Sequence, residues 1–130
     1  MLARIDTCTL IGVDAVPIRV EVHLTTGLPS FSIVGLAQGA VREGRERVTA
    51  ALANSGFELP LRRITVNLAP ADQRKSGSGF DLSIALGILL SSGQLRTPDD
   101  LSDTLVLGEL GLDGRVRSEE HTSELQSPCN

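Results

Sequence analysis

The sequence predicts an α/β fold of the α+β kind, with a β-meander, a helix, a strand, a buried helix and a C-terminal hairpin cut short. Three observations predict it. Ile64, Val66 and Leu68 alternate with Thr65 and Asn67, the period of a strand with one apolar face. Phe80, Leu82, Ile84, Ala85, Leu86, Ile88, Leu89 and Leu90 leave almost no polar face, so that stretch is a helix covered on most sides. Between them lies a polar, glycine-rich loop, the position at which α/β proteins place ligands and chemistry.

The elements follow in chain order. Residues 2–11 alternate loosely and stop at Gly12. From Val16 to Leu24 every second residue is apolar, against Arg19, Glu21 and His23 on the other face, and Pro17 marks a strand start or an edge. Phe31, Ile33 and Val34 form a third short strand, giving a meander. A helix is expected from about Gly39 to Ser55, with an apolar stripe of Val41, Val48, Ala51 and Leu52, stopped by Gly56. Its outer face carries Arg42 with Glu46 and Glu43 with Arg47, both opposite-charge pairs four residues apart, each contributing about 0.2–0.5 kcal/mol.

Pro70 ends the central strand because it has no N–H to donate. The buried helix is expected to open at Ser78, with Asp81 completing a Ser-x-x-Asp capping box, and to close at Gly93. After a polar connection, Asp113-Gly114 signals a hairpin with a type I′ turn, one strand of which is nearly missing.

Composition bounds the function. A chain of 130 residues, 41% hydrophobic and 22% charged, is most simply one domain. It has no Trp or Tyr, which removes the usual stacking platforms for single-stranded nucleic acid. Cys8 and Cys129 match no metal-ligand spacing and argue for a reducing compartment over a disulfide scaffold; His23 and His121 are isolated, and no metal site is expected. No apolar run is long enough to span a bilayer, so no membrane partner and a cytoplasmic location are expected.

Residues 118–130, SEEHTSELQSPCN, break from the composition of the domain before them and resemble a translated sequencing-adapter segment. They are taken as a non-native tail, leaving a domain over 1–117 with 12 basic residues against 13 acidic ones.

The sequence offers two candidate sites. Arg42, Arg45 and Arg47 on the helix, with Arg62, Arg63, Arg74 and Lys75, form a candidate surface for an anionic or subunit partner. Seven bases against four acids between residues 42 and 75 are too few for a nucleic-acid footprint on charge alone, and a solvated helix face is the plainer alternative. In the central loop, Gly77 and Gly79 sit beside Arg74 and Lys75, which suits a weak anion site, although Asp81 opposes it. The loop is not a Walker phosphate loop, since Arg74 stands directly before Lys75 and position 70 is proline. A Ser/His/Asp triad fails because His23 lies on a strand with no signature around any serine.

GLAQGAVREGRERVTAALANSGFELP (35–60), RRITVNLAPADQRKSGSGFDLSIALGIL (62–89) and LVLGELGLDGRVR (105–117) resemble the N-terminal domain of the ComM/YifB family of Mg-chelatase-like AAA+ ATPases. The resemblance implies a Lon-protease-domain-like fold for a fragment without catalysis of its own. It implies a hexameric parent that uses ATP and Mg2+ to drive DNA branch migration in natural transformation, with DNA a possible partner of this domain. None of the ATPase motifs lies in these residues, so no cofactor and no catalytic residue is expected here. A Lon-like Ser/Lys peptidase is the second reading. Counting from Pro70 puts its serine at Lys75, counting back from the helix puts it at Gly79, and neither is serine; Lys75 is also the only lysine. A stand-alone interaction module is the third. Without a native continuation past Arg117, the buried helix is expected to leave an exposed apolar patch and a marginally stable domain.

Overall fold

The computed structural model describes residues 2–70, 79–97 and 101–117. Strands β1 (Leu2–Ile11) and β2 (Asp14–Thr25) form an antiparallel hairpin whose register sets Ile5 against Val20 and Asp6 against Arg19. β3 (Ser30–Val34) is followed by helix α1 (Gln38–Asn54) and β4 (Arg63–Ala69). β4 runs antiparallel to β2, with Val22 opposite Val66, and parallel to β3, with Ile33 opposite Val66, so the sheet order is β1-β2-β4-β3.

That order corrects the expected meander. β3 does not turn back onto β2, whose second edge is taken by β4; it is joined to β4 through α1. Parallel neighbours require a long crossover, and α1 supplies one. Sequence alternation identifies a strand but carries no information on which strand it pairs with.

Ile18, Val20, Val22, Leu24, Ile64, Val66 and Leu68 point to one face of the sheet and are buried against α1 and helix α2 (Asp81–Ser91). At roughly 1.5–3 kcal/mol per large side chain, this layer is the main source of stability. The opposite face is polar: Arg4 pairs with Glu21 and Arg19 with Asp6, both at 3.3 Å. Such a sheet, packed on one side and wet on the other, alternates along each strand as this sequence does.

Both helices end on a glycine with positive φ, Gly56 at 86° and Gly93 at 79°. After α1, Gly56 N–H donates to Ala53 O and Phe57 N–H to Leu52 O, the paired bonds of a Schellman motif. Gly87 on α2 lies directly over Val22, and a Cβ there would be 3.2 Å from the Val22 Cβ. The absence of a side chain sets how closely α2 approaches the sheet.

The C-terminal segment closes the structure. Leu105 bridges to Asp6 in parallel, and Val106 N–H donates to Asp6 O at 2.9 Å. Ser83 Oγ on α2 donates to Val106 O, and Leu82 N–H to Gly108 O at 3.0 Å. A short 3-10 turn (Leu101–Asp103) precedes this stretch. Strands β5 (Glu109–Leu110) and β6 (Val116–Arg117) then form a small hairpin. Its turn is not type I′. Among its residues only Gly114 has positive φ, at 89°; Gly114 N–H donates to Gly111 O, and Gly111 N–H to Arg115 O at 2.8 Å. This is a three-residue loop whose αL glycine forms a bulge, which spares Asp113 the strained left-handed conformation.

The same segment covers α2. Leu82, Leu86 and Leu90 are half-buried and pack against the core, and the most exposed apolar side chains, Val13, Leu28 and Leu61, lie in turns elsewhere. The expected bare patch on this helix is therefore not present among the described residues. Cys8 is buried in β1, and Cys129 lies outside the described residues.

Candidate functional site

The expected partner surface divides into groups with different fates. Arg74, Lys75 and Gly77 lie outside the described residues, as do Ser78 and residues 118–130. Gly79 is described, and its carbonyl accepts Gly108 N–H at 2.9 Å, so it seats the C-terminal segment. The three arginines of α1 do not form one patch.

Residues 42, 45 and 46 fall on the outer face of the helix, whereas residue 47 turns toward α2. Arg42 pairs with Glu46 at 3.7 Å, and its side chain is 80% exposed. Arg45 Nη1 donates to Phe31 O on β3 at 3.1 Å. Arg47 still meets Glu43 at 3.8 Å, the spacing-predicted pair, but its strong contacts are elsewhere. Its Nε donates to Asp81 Oδ2 at 2.6 Å and its Nη2 to Asp81 Oδ1 at 3.2 Å.

Asp81 is 2% exposed, and its Oδ2 also accepts Leu110 N–H at 3.2 Å. One carboxylate thus ties α1, α2 and β5 together. This corrects the capping-box reading: α2 opens after Phe80 with no side-chain cap bond, and Asp81 in its first turn spends its oxygens on tertiary partners. Two donors on a guanidinium and a buried amide outweigh a local cap because each charge-assisted bond is worth more in a poorly solvated place. Burial pushes the Asp81 carboxyl above the usual carboxylate range; the hydrogen bonds from Arg47 and Leu110 N–H pull it back without cancelling the shift. The hydrogen bond to Asp81 holds the Arg47 guanidinium more firmly charged.

With Arg47 turned inward, a groove of about 590 Å³ remains between the outer face of α1 and β3. Phe31, Ala50, Ala53 and Leu59 give it apolar walls, and Arg42, Arg45 and Glu46 line its polar side. Sequence reading missed Phe31 and Leu59 because their shared environment arises from the crossover, not from spacing. A second groove of about 590 Å³ lies at the end of β4, beside Asp6, Arg19 and Pro70. Thr7 lines it too; its hydroxyl is buried and makes no hydrogen bond. Among the described residues no group of three or more His, Cys, Asp or Glu is placed to hold a metal ion, and no helix is long and apolar enough to cross a membrane. His23 stands on the polar face of the sheet, opposite Thr65.

A family model described as subunit ChlI of Mg-chelatase matches residues 20–127. Over 116 residues the chain is 47% identical to the uncharacterized protein YifB of Escherichia coli (strain K12) and 46% identical to the competence protein ComM of Haemophilus influenzae. The chain belongs to the ComM/YifB family of Mg-chelatase-like proteins. An uncharacterized protein of Mycobacterium tuberculosis is 41% identical over the same length. Each alignment takes in 89% of this chain and 23% of the relative, so the chain spans about a quarter of the length of the curated relatives it matches. The match to the N-terminal domain of this family agrees with the three stretches that carry the sequence resemblance, and the mixed α/β architecture agrees with the predicted class.

Proposed function

We propose that this chain is the non-catalytic N-terminal domain of a ComM-like AAA+ ATPase. In this reading the parent binds ATP and Mg2+, assembles as a hexameric ring in the cytoplasm and drives branch migration of DNA during natural transformation and recombination. The observation that carries it is 46% identity over 116 residues to a competence protein more than four times as long as the alignment. The sequence adds support, since no Gly-x-x-x-x-Gly-Lys-Ser/Thr segment occurs in these 130 residues and the nucleotide chemistry must belong to the remainder. A Lon-like ancestry for the fold belongs to the same proposal.

Within that parent, the domain is an assembly and docking element. Arg47 is committed to Asp81, so α1 offers only Arg42 and Arg45 on its outer face, too few cations to track a phosphate backbone. The test compares the present chain with the full-length parent. The chain alone is expected to hydrolyse no ATP, and the full-length protein to hydrolyse ATP and move a branched DNA junction. Absence of ATPase activity from the full-length protein would sink the assignment. Arg42→Glu in the full-length protein is expected to change oligomer size while leaving the salt dependence of DNA binding as it was. A reduced salt dependence would give Arg42 to DNA instead.

A further inference from the structure

Among the described residues β3 is an outer strand of the sheet, hydrogen-bonded to β4 on one side. Ser30 N–H donates to Arg62 O at 3.3 Å, which aims the backbone groups of Ser30, Ser32 and Val34 at β4. Because that direction alternates along a strand, the N–H and C=O groups of Phe31 and Ile33 face the open side. The bond from Arg45 Nη1 to Phe31 O at 3.1 Å lies on that side, as the alternation requires. The groove between β3 and α1 opens beside the same edge, with Phe31, Ala50, Ala53 and Leu59 giving it aliphatic and aromatic surface.

The charge on its rim selects among occupants. Two arginines face one glutamate, and Arg42 already shares Glu46 at 3.7 Å, while Arg45 holds only a neutral carbonyl. A guanidinium on a carbonyl exchanges readily for a carboxylate, which it binds more strongly. A strand arriving at this edge brings its own N–H to Phe31 O and so releases Arg45 for such an exchange. Nucleic acid fits less well, because the walls are apolar, Glu46 opposes phosphate and the groove holds a single aromatic ring.

We propose that the groove and the open edge of β3 together dock an extended peptide segment, which adds to the sheet as a further strand and places an acidic side chain on Arg45 and Arg42. Alternate side chains of the segment enter the groove, and the backbone groups of Phe31 and Ile33 supply the ladder.

The experiment uses the full chain and a fluorescent peptide of alternating valine and threonine around a central aspartate, with affinity read by anisotropy. Replacing the aspartate by lysine, or Arg45 by alanine, is expected to weaken binding about tenfold, with an unchanged melting curve for Arg45→Ala. N-methylation of alternate peptide amides should abolish binding, and hydrogen exchange at the Ile33 amide should slow when the unmodified peptide is added. The N-methylated peptide leaves the protein untouched, so the proposal stays testable even where a variant folds poorly. Absence of peptide binding overturns the proposal, as does equal affinity for the aspartate and lysine peptides or indifference to N-methylation. Displacement of the peptide by a single-stranded oligonucleotide would also overturn it by assigning the arginines to phosphate. So would pairing of the β3 edges of two copies with each other, which would leave no edge for an acidic segment, whether that segment comes from another protein or from a neighbouring subunit of the parent.

Discussion

Arg47 and Asp81 stand 34 positions apart and meet at 2.6 Å, and with Leu110 N–H on the same carboxylate this pair links α1, α2 and β5 over the aliphatic core. Removing either partner is expected to cost about 3 kcal/mol, because the other is left poorly solvated and unpaired. Urea unfolding of Arg47→Ala, Asp81→Ala and the double variant checks this, with the double variant losing clearly less than the sum of the singles. The pH dependence has a definite sign. The folded-state carboxyl of Asp81 titrates above its unfolded value, so in the window between the two the folded chain holds the extra proton. Its contribution is fully present below the unfolded value and is lost as pH rises through the folded one. The stability of the wild type relative to Asp81→Asn should therefore fall as pH is raised through the carboxylate range toward neutrality. A difference that grows with pH would mean that Arg47, not burial, governs the carboxyl. At Gly87, alanine would force a Cβ into Val22 and is expected to cost about 1–3 kcal/mol. Gly39, on the same criterion, has nothing within 4 Å, and Gly39→Ala in α1 should stabilise by about 0.5–1 kcal/mol. Thermal melts of the two alanine variants should move in opposite directions.

At the level of elements, the sequence disclosed whatever depends on neighbours along the chain. α1 begins at Gln38 and ends at Asn54, within a residue of the limits set by its apolar stripe and Gly56. The Arg42–Glu46 and Glu43–Arg47 pairs are both formed. Gly93 stops α2 for the reason its position suggested, and alanine at Gly56 or Gly93 should cost about 1–2 kcal/mol by placing a Cβ in left-handed space. The sequence was silent wherever an element's neighbour is remote. β3 reads the same as a third meander strand or as the first arm of a crossover, since alternation of Phe31 and Ile33 is satisfied by either. Asp81 looks like a capping residue because its spacing to Ser78 is local and its spacing to Arg47 is not. The candidate surface suffered from the same blindness: Arg42, Arg45 and Arg47 are close in sequence, but 100° per residue sends the last of them to a different side of the helix. Asp113-Gly114 announced a hairpin, and the hairpin is there; the turn type changed because one glycine suffices for a bulged three-residue loop.

For the molecule as a whole, the C-terminal segment is the closure. Asn54 Nδ2 donates to Leu112 O at 2.6 Å, so the hairpin is fastened to the end of α1 as well as to α2, and the stretch before it to β1. Asn54→Ala and Ser83→Ala are each expected to cost about 1 kcal/mol and, more tellingly, to speed hydrogen exchange at Val106 and Leu110 before the central sheet is affected. If exchange at β2 and β4 accelerates equally, the segment is not a separately opening unit. The bond between Val106 and Asp6 also governs when the domain can form during synthesis. β1 pairs with β2 as soon as both are made, but its other edge waits for Leu105 and Val106, about a hundred positions further along the chain. The most apolar helix of the chain emerges before the stretch that shields it. Contacts spanning such a separation close slowly, so a nascent chain shorter than this carries unshielded leucines for as long as translation takes to reach Val106, and synthesis rate through the polar connection after α2 becomes a determinant of yield.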